Sequence, residues 1–161
     1  MGTLTIARVV AVVCAGLMAG IFLGDRAGAH YARTEISASS FVKFQQVVHV
    51  RFVRFMPPLV LTALLAGSAW LFMLRSQWRS PEFWLIAASV CGIALIVVLT
   101  RAVNVPINDQ LMTWSVEAPP ANLRDLWAPW ERVNTIRALV SMGALVLEAV
   151  ALSLRASNGR P

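Results

Sequence analysis

The sequence predicts an all-α fold: an integral membrane four-helix bundle with amphipathic helical segments in the 1–2 and 3–4 connections. Three observations predict it. Hydrophobic residues make up 58% of the 161-residue chain and charged residues 14%, whereas soluble domains sit near 45–50% and about 25%. Four apolar runs, Leu4–Leu23, Pro57–Leu74, Phe83–Thr100 and Thr135–Leu154, each approach the roughly 20 residues that cross a hydrocarbon core. The segments between them keep a helical period with polar residues gathered on one side. One four-span domain is expected over residues 1–161, and the sequence shows no internal repeat.

The first run carries Arg8 ahead of it and Ala27-Gly28-Ala29 behind it, which are also the marks of a cleaved signal peptide. The length from Val9 to Leu23, and the charges at Asp25 and Arg26, favour a retained helix. Between the first two runs, Phe41–Met56 is helical by pattern. Lys43, Arg51 and Arg54 share one side, with Gln45, His49, Phe52 and Met56 opposite. Ser37, Ser39 and Ser40 are N-cap candidates. Pro57-Pro58 is expected to bend the chain into the second span, because proline removes a ladder donor and crowds the preceding turn.

The short polar link Arg75–Pro81 makes spans two and three antiparallel neighbours. Ser80-Pro81-Glu82 is a helix start, with a cap, proline at the first position and an acid in the first turn. Past the third span, Arg101, Asn104 and Asn108 fall at i, i+3 and i+7, with Pro106 expected to interrupt the helix. Glu117–Pro120 reads as a loop, followed by a short amphipathic stretch from Asn122 or Leu123 to Trp130. In the fourth span Trp127, Asn134, Ser141 and Glu148 repeat every seven residues, and Trp130, Arg137 and Ala144 interleave with them. That spacing is the inward seam of a packed bundle, where polar side chains hydrogen-bond across helices.

The net charge of +6 does not point to nucleic acid, since the basic residues flank the spans singly and form no stripe. Arg8, Arg75, Arg79, Arg155 and Arg160 argue for cytoplasmic termini, the cations of the two longer connections argue the reverse, and orientation stays open. Cys14 and Cys91 lie inside apolar runs and read as small core residues. Two histidines, His30 and His49, without carboxylates at ligand spacing argue against a metal site.

Polar residues at membrane depth are costly and usually face a bundle interior or wet cavity. Arg101, Asn104 and Asn108 therefore either hold a carbonyl or enolate, or cap a helix kink. Arg137 either faces inward or snorkels to the interface. Glu148 lies about 16 Å from Arg137 along one helix, so it either has another partner or reaches the far interface. His49 is the candidate general base, since histidine titrates nearest neutral pH; its plain alternative is a satisfied core residue. Trp130 reads as a pocket wall, while Trp70, Trp78, Trp84, Trp114 and Trp127 read as the interfacial aromatic belt.

The run Arg101-Ala-Val-Asn104-Val-Pro106-Ile-Asn108, followed by Trp127-Ala-Pro-Trp130-Glu131-Arg132-Val-Asn134-Thr-Ile-Arg137, resembles the anthrone oxygenase-like family of small four-helix membrane proteins. The resemblance covers nearly the whole chain, although its motifs specify the family better than any activity. It implies cofactor-free oxidation of a flat, apolar, phenolic or polyketide-like molecule by C–H deprotonation and reaction with O2. His49, Arg137 and Asn134 would then form the catalytic set, and Arg101, Asn104, Asn108, Trp130 and Gln45 the substrate contacts, with no metal and no cofactor. One departure is Asn134, which stands where the family pattern often has a histidine. The expected partners are the lipid bilayer and an apolar aromatic small molecule, with no nucleic acid, and a homo-oligomer stays open. A multi-pass location in a bacterial cell membrane is expected. The alternative is a non-catalytic bundle, either a lipophile-binding protein or a subunit of a membrane complex.

Overall fold

The computed structural model describes residues 2–158, with side chains as far as Leu154. Arg160 and the side chain of Arg155, two of the terminal cations, lie outside the described residues. The helices are α1 (Thr3–Gly24), α2 (His30–Glu35), α3 (Ala38–Met73), α4 (Pro81–Leu99), α5 (Val105–Leu111) and α6 (Leu123–Asn158). Two π-helical turns join neighbours, Asp25–Ala29 between α1 and α2 and Thr100–Asn104 between α4 and α5. The result is four rods, long and apolar enough to cross a membrane, of 33, 36, 31 and 32 residues. The all-α bundle is thus a multi-pass membrane protein.

The chain runs up and down four times. α1 packs on α3 and α6, and α4 packs on α6 and α3, so sequence neighbours are mostly spatial neighbours. Each rod exceeds the roughly 20 residues a bilayer needs. The surplus lies at the end of α1, the start of α3, the end of the α4–α5 rod and the start of α6. Alternating direction brings all four surpluses to the same end of the bundle, where Asp25, Gln45, His49, Asn104, Asn134 and Arg137 gather.

Ser37 caps α3, its hydroxyl accepting from Ser40 N at 3.2 Å, and Ser80 does the same for Phe83 N in α4. Pro57 and Pro58 lie inside one continuous α3. They withdraw ladder donors from the Val53 and Arg54 carbonyls without ending the helix. Pro106, expected to interrupt the third rod, does not. The π turn before it closes with Val105 N donating to Thr100 O, and Pro106 then sits in the first turn of α5, where no donor is needed. The stretch from Leu123 is not a separate short helix. It is the start of α6 and passes through Pro129.

The core has three tiers. Trp70, Leu74 and Ile86 pack with Ala7, Ala11 and Ala151 at one end. Met18, Phe22, Met56, Ile93 and Ile96 fill the middle. Phe41, Leu111, Trp114, Leu123 and Trp127 close the other end. Trp70, Trp114 and Trp127 are therefore core residues and not belt, while Trp78 and Trp84 are exposed. Cys14 is buried, but Cys91 faces outward. Arg8 is no simple flanking cation. It is buried, its Nη2 donates to Glu82 Oε1, and Trp70 Nε1 donates to the same oxygen at 3.0 Å. Glu148 does not reach an interface. It is fully buried and accepts from Ser89 Oγ at 2.7 Å, so its partner comes from α4.

Helices approach closely where side chains vanish. A Cβ built on Gly92 would lie 3.1 Å from Val140 Cγ1, whereas one on Gly20 would meet nothing within 4 Å. Gly92→Leu is expected to cost about 1–3 kcal/mol through overpacking and to lower Tm in detergent. Gly20→Leu, measured alongside, is expected to leave Tm unchanged.

Candidate functional site

The extended end of the bundle encloses an apolar cavity of ≈ 180 Å³. Its walls come from all four rods: Ile21, Phe22 and Asp25 from the first, and Gln45, His49, Phe52, Met56 and Pro57 from α3. Thr100, Asn104 and Asn108 come from the third, and Trp127, Trp130, Asn134 and Arg137 from α6. The α3 residues are those that the 100° period placed on one side, because α3 is regular there. The α6 seam holds for the same reason. Trp127, Asn134, Arg137, Ser141 and Glu148 are all buried, and the upper members face the cavity.

Of the expected site residues, His49, Arg137, Asn134, Asn104, Asn108, Trp130 and Gln45 share this cavity. Arg101 does not; it is exposed and absent from the lining. The cause is the π turn at Thr100–Asn104. A regular helix would put residues 101, 104 and 108 on one face, but an i→i+5 turn adds a residue to the winding and rotates Arg101 away. Asn104 and Asn108 stay inside.

Sequence reasoning missed a charged network behind the cavity. Arg33 Nη1 and Nη2 donate to the two carboxylate oxygens of Asp25 at 2.7 and 3.0 Å, and Asn134 Nδ2 donates to Asp25 Oδ2 at 2.7 Å. Glu131 lies on the far side of Arg33 at 3.5 Å and takes His30 Nδ1 at 3.1 Å. Arg124 donates to the carbonyls of Arg33 and Ile36, tying the end of α2 to α6. The signal available in the sequence was Asp25 itself, an acid directly beyond the first apolar run.

Several polar atoms at the cavity have no protein partner. Gln45 Oε1 and Asn104 Oδ1 are buried acceptors without donors, and Trp127 Nε1, Trp130 Nε1 and Arg137 Nε are buried donors without acceptors. Buried polar groups are normally paired, so this cluster is unusual. Arg137 makes no hydrogen bond or ion pair with any described residue, and its guanidinium lies 4.3 Å from the Phe22 ring centroid. Trp127 and Trp130 stack with centroids 4.5 Å apart and form a flat wall. Asn104 also donates its amide to the Trp130 carbonyl at 3.3 Å, which holds the third rod against α6. Among the described residues, no group of three or more His, Cys, Asp or Glu is arranged to hold a metal ion.

Asp25→Ala would leave Arg33 buried with only the longer contact to Glu131. Removing one partner of a buried pair costs about 3 kcal/mol or more. A fall in Tm in detergent is expected, larger than for Glu131→Ala, which removes only the 3.5 Å contact to Arg33 and leaves both Arg33–Asp25 bonds in place.

Neither the curated proteins nor the solved structures contain a match to the chain. The model of the anthrone oxygenase family matches residues 44–147, from the middle of the first connection to the last tier of α6. That segment carries three walls of the cavity, including His49, both inward asparagines, the stacked tryptophans and Arg137. The match extends over more than half of the sequence, and the chain belongs to the anthrone oxygenase family.

Proposed function

We propose that this cavity binds a flat, apolar, phenolic or polyketide-like molecule from a bacterial cell membrane and oxidises it with O2 without a cofactor. The observation that carries the proposal is Arg137, 8% exposed, lining the cavity with His49 and making no ion pair or hydrogen bond with any described residue, with Asp25 acting on it only from a distance. A buried cation with no ion pair is a costly arrangement, and a ligand that develops negative charge beside it relieves that cost.

The chemistry follows from these groups. His49, which has no hydrogen-bond partner among the described residues, takes a proton from a methylene group activated by a neighbouring carbonyl. The electron pair moves to the carbonyl oxygen, and Arg137 stabilises the enolate against the apolar walls of the cavity. The enolate passes one electron to O2, the two radicals combine, and the hydroperoxide loses water as it collapses to a carbonyl. The step balances: the methylene gives up both hydrogens, one oxygen atom of O2 becomes the new carbonyl oxygen, and the other leaves as water. The stacked Trp127–Trp130 wall suits a planar ligand, and the unpaired oxygens of Gln45 and Asn104 suit its phenolic hydroxyls. Asn134, bonded to Asp25, serves in this reading as a positioning residue of the α6 wall.

The test uses the full chain in detergent with a hydroxyanthrone in air, following O2 uptake and quinone absorbance. His49→Ala and Arg137→Gln are each expected to slow turnover about 100-fold or more with Tm retained. Unchanged turnover in the double variant would sink the mechanism.

A second reading, a non-catalytic lipophile-binding bundle or subunit, is favoured by one observation. The amides of Asn104 and Asn134 are both spent on protein partners. Asn104→Ala is expected to cost about 1–3 kcal/mol in either reading. The scaffold reading alone predicts that Arg137→Ala lowers Tm equally and that no hydroxyanthrone is consumed.

A further inference from the structure

The outer face of α3, turned away from the cavity, carries a second recess. Lys43, Val47, Val50, Arg51 and Arg54 line it on α3, and Met112 closes its side from the end of α5. Its volume is ≈ 460 Å³. The recess is held open by Gln46, whose amide nitrogen donates to the carbonyls of Leu111 at 3.1 Å and Trp114 at 3.0 Å. That clamp fixes the third rod beside α3 and leaves Met112, Val47 and Val50 exposed as an apolar floor.

Three cations share the recess and no acid lines it. Arg51 and Arg54 make no ion pair or hydrogen bond with any described residue, and they stand three residues apart, where like charges on a helix repel. Lys43 feels Glu117 only at a distance beyond that of an ion pair. The depth of the two arginines is set by the chain. Arg54 and Arg51 precede Pro57, the first residue of the second apolar run, by three and six residues. At 1.5 Å per residue they lie about 4.5 and 9 Å outside the hydrocarbon edge. The headgroup layer is about 5–8 Å deep on each side, so both guanidinium groups reach phosphate level. Lys43 stands about 21 Å out, in water.

We propose that this recess binds one anionic phospholipid by its headgroup, with the phosphate between Arg51 and Arg54, the polar headgroup beyond it against Val50 and Met112, and the acyl chains running the other way, past Arg54 toward Pro57 and the hydrocarbon. Guanidinium forks match phosphate oxygens, and a bound lipid removes the repulsion between the two arginines. The site is independent of the cavity chemistry, since Gln45, His49 and Phe52 occupy the opposite side of α3.

Native mass spectrometry of the full chain tests this with phosphatidylglycerol and phosphatidylcholine offered in equal amounts. One tightly held phosphatidylglycerol is expected, in preference to phosphatidylcholine. Arg51→Gln with Arg54→Gln is expected to weaken it about 25-fold, at about fivefold per charge, while Arg51→Lys with Arg54→Lys retains most of the preference. Arg75→Gln with Arg79→Gln, at the opposite end of the bundle, is expected to change nothing. Three results would overturn the proposal: equal retention of the two lipids by the unaltered chain, an unchanged preference in the glutamine pair, or displacement of the lipid by millimolar inorganic phosphate, which would mark a soluble-anion site.

Discussion

Asp25 receives three hydrogen bonds, two from Arg33 and one from Asn134, and the polar end of the bundle is arranged around that carboxylate. Arg33 comes from α2 and Asn134 from α6, so one acid joins the first rod, its short continuation and the last rod. In a region of low dielectric such bonds are strong when complete and costly when broken. The consequence is a rigid rear wall. Arg137 stands near this network without a hydrogen bond to it, lies over the Phe22 ring and feels Asp25 from a distance, and it lines the cavity.

The two π turns have a common effect. Each lies just beyond a span, one ending α1 and the other ending α4, at the same end of the bundle. The first carries one cavity residue, Asp25, and the second carries two, Thr100 and Asn104. A π turn re-aims the side chains that follow it, and such turns are common at functional sites. Here they turn rods that pack as regular apolar helices within the membrane into walls that present polar groups above it.

The polar pairs deeper in the bundle have another character. Arg8 with Glu82 and Trp70, and Glu148 with Ser89, connect different helices and line no part of the cavity. Each has a side-chain partner on another helix, so they set the alignment of the rods. Single unpartnered atoms remain there, Arg8 Nε and Glu148 Oε2, whereas five such atoms gather around the cavity.

Much of this was legible in the amino-acid order. Four apolar runs, the Ser37 and Ser80 caps, the inward face of Gln45, His49, Phe52 and Met56, and the seven-residue seam of α6 follow from periodicity, because regular helices convert spacing into direction. The motif around Asn104 and Arg137 was enough to indicate the family. Tertiary structure alone decided the rest. Arg101 points outward because a π turn changes the winding, and no local pattern marks that turn. Pro57 and Pro58 sit within α3 because packing outweighs the loss of single hydrogen bonds, and Pro106 is accommodated because the π turn before it leaves it in the first turn of α5. Asp25, Arg33, Glu131 and His30 meet because four helices alternate in direction, which brings residues about a hundred positions apart to one level. Hydrophobic period is a local property of the chain; the partner of a buried charge is a property of the assembled bundle.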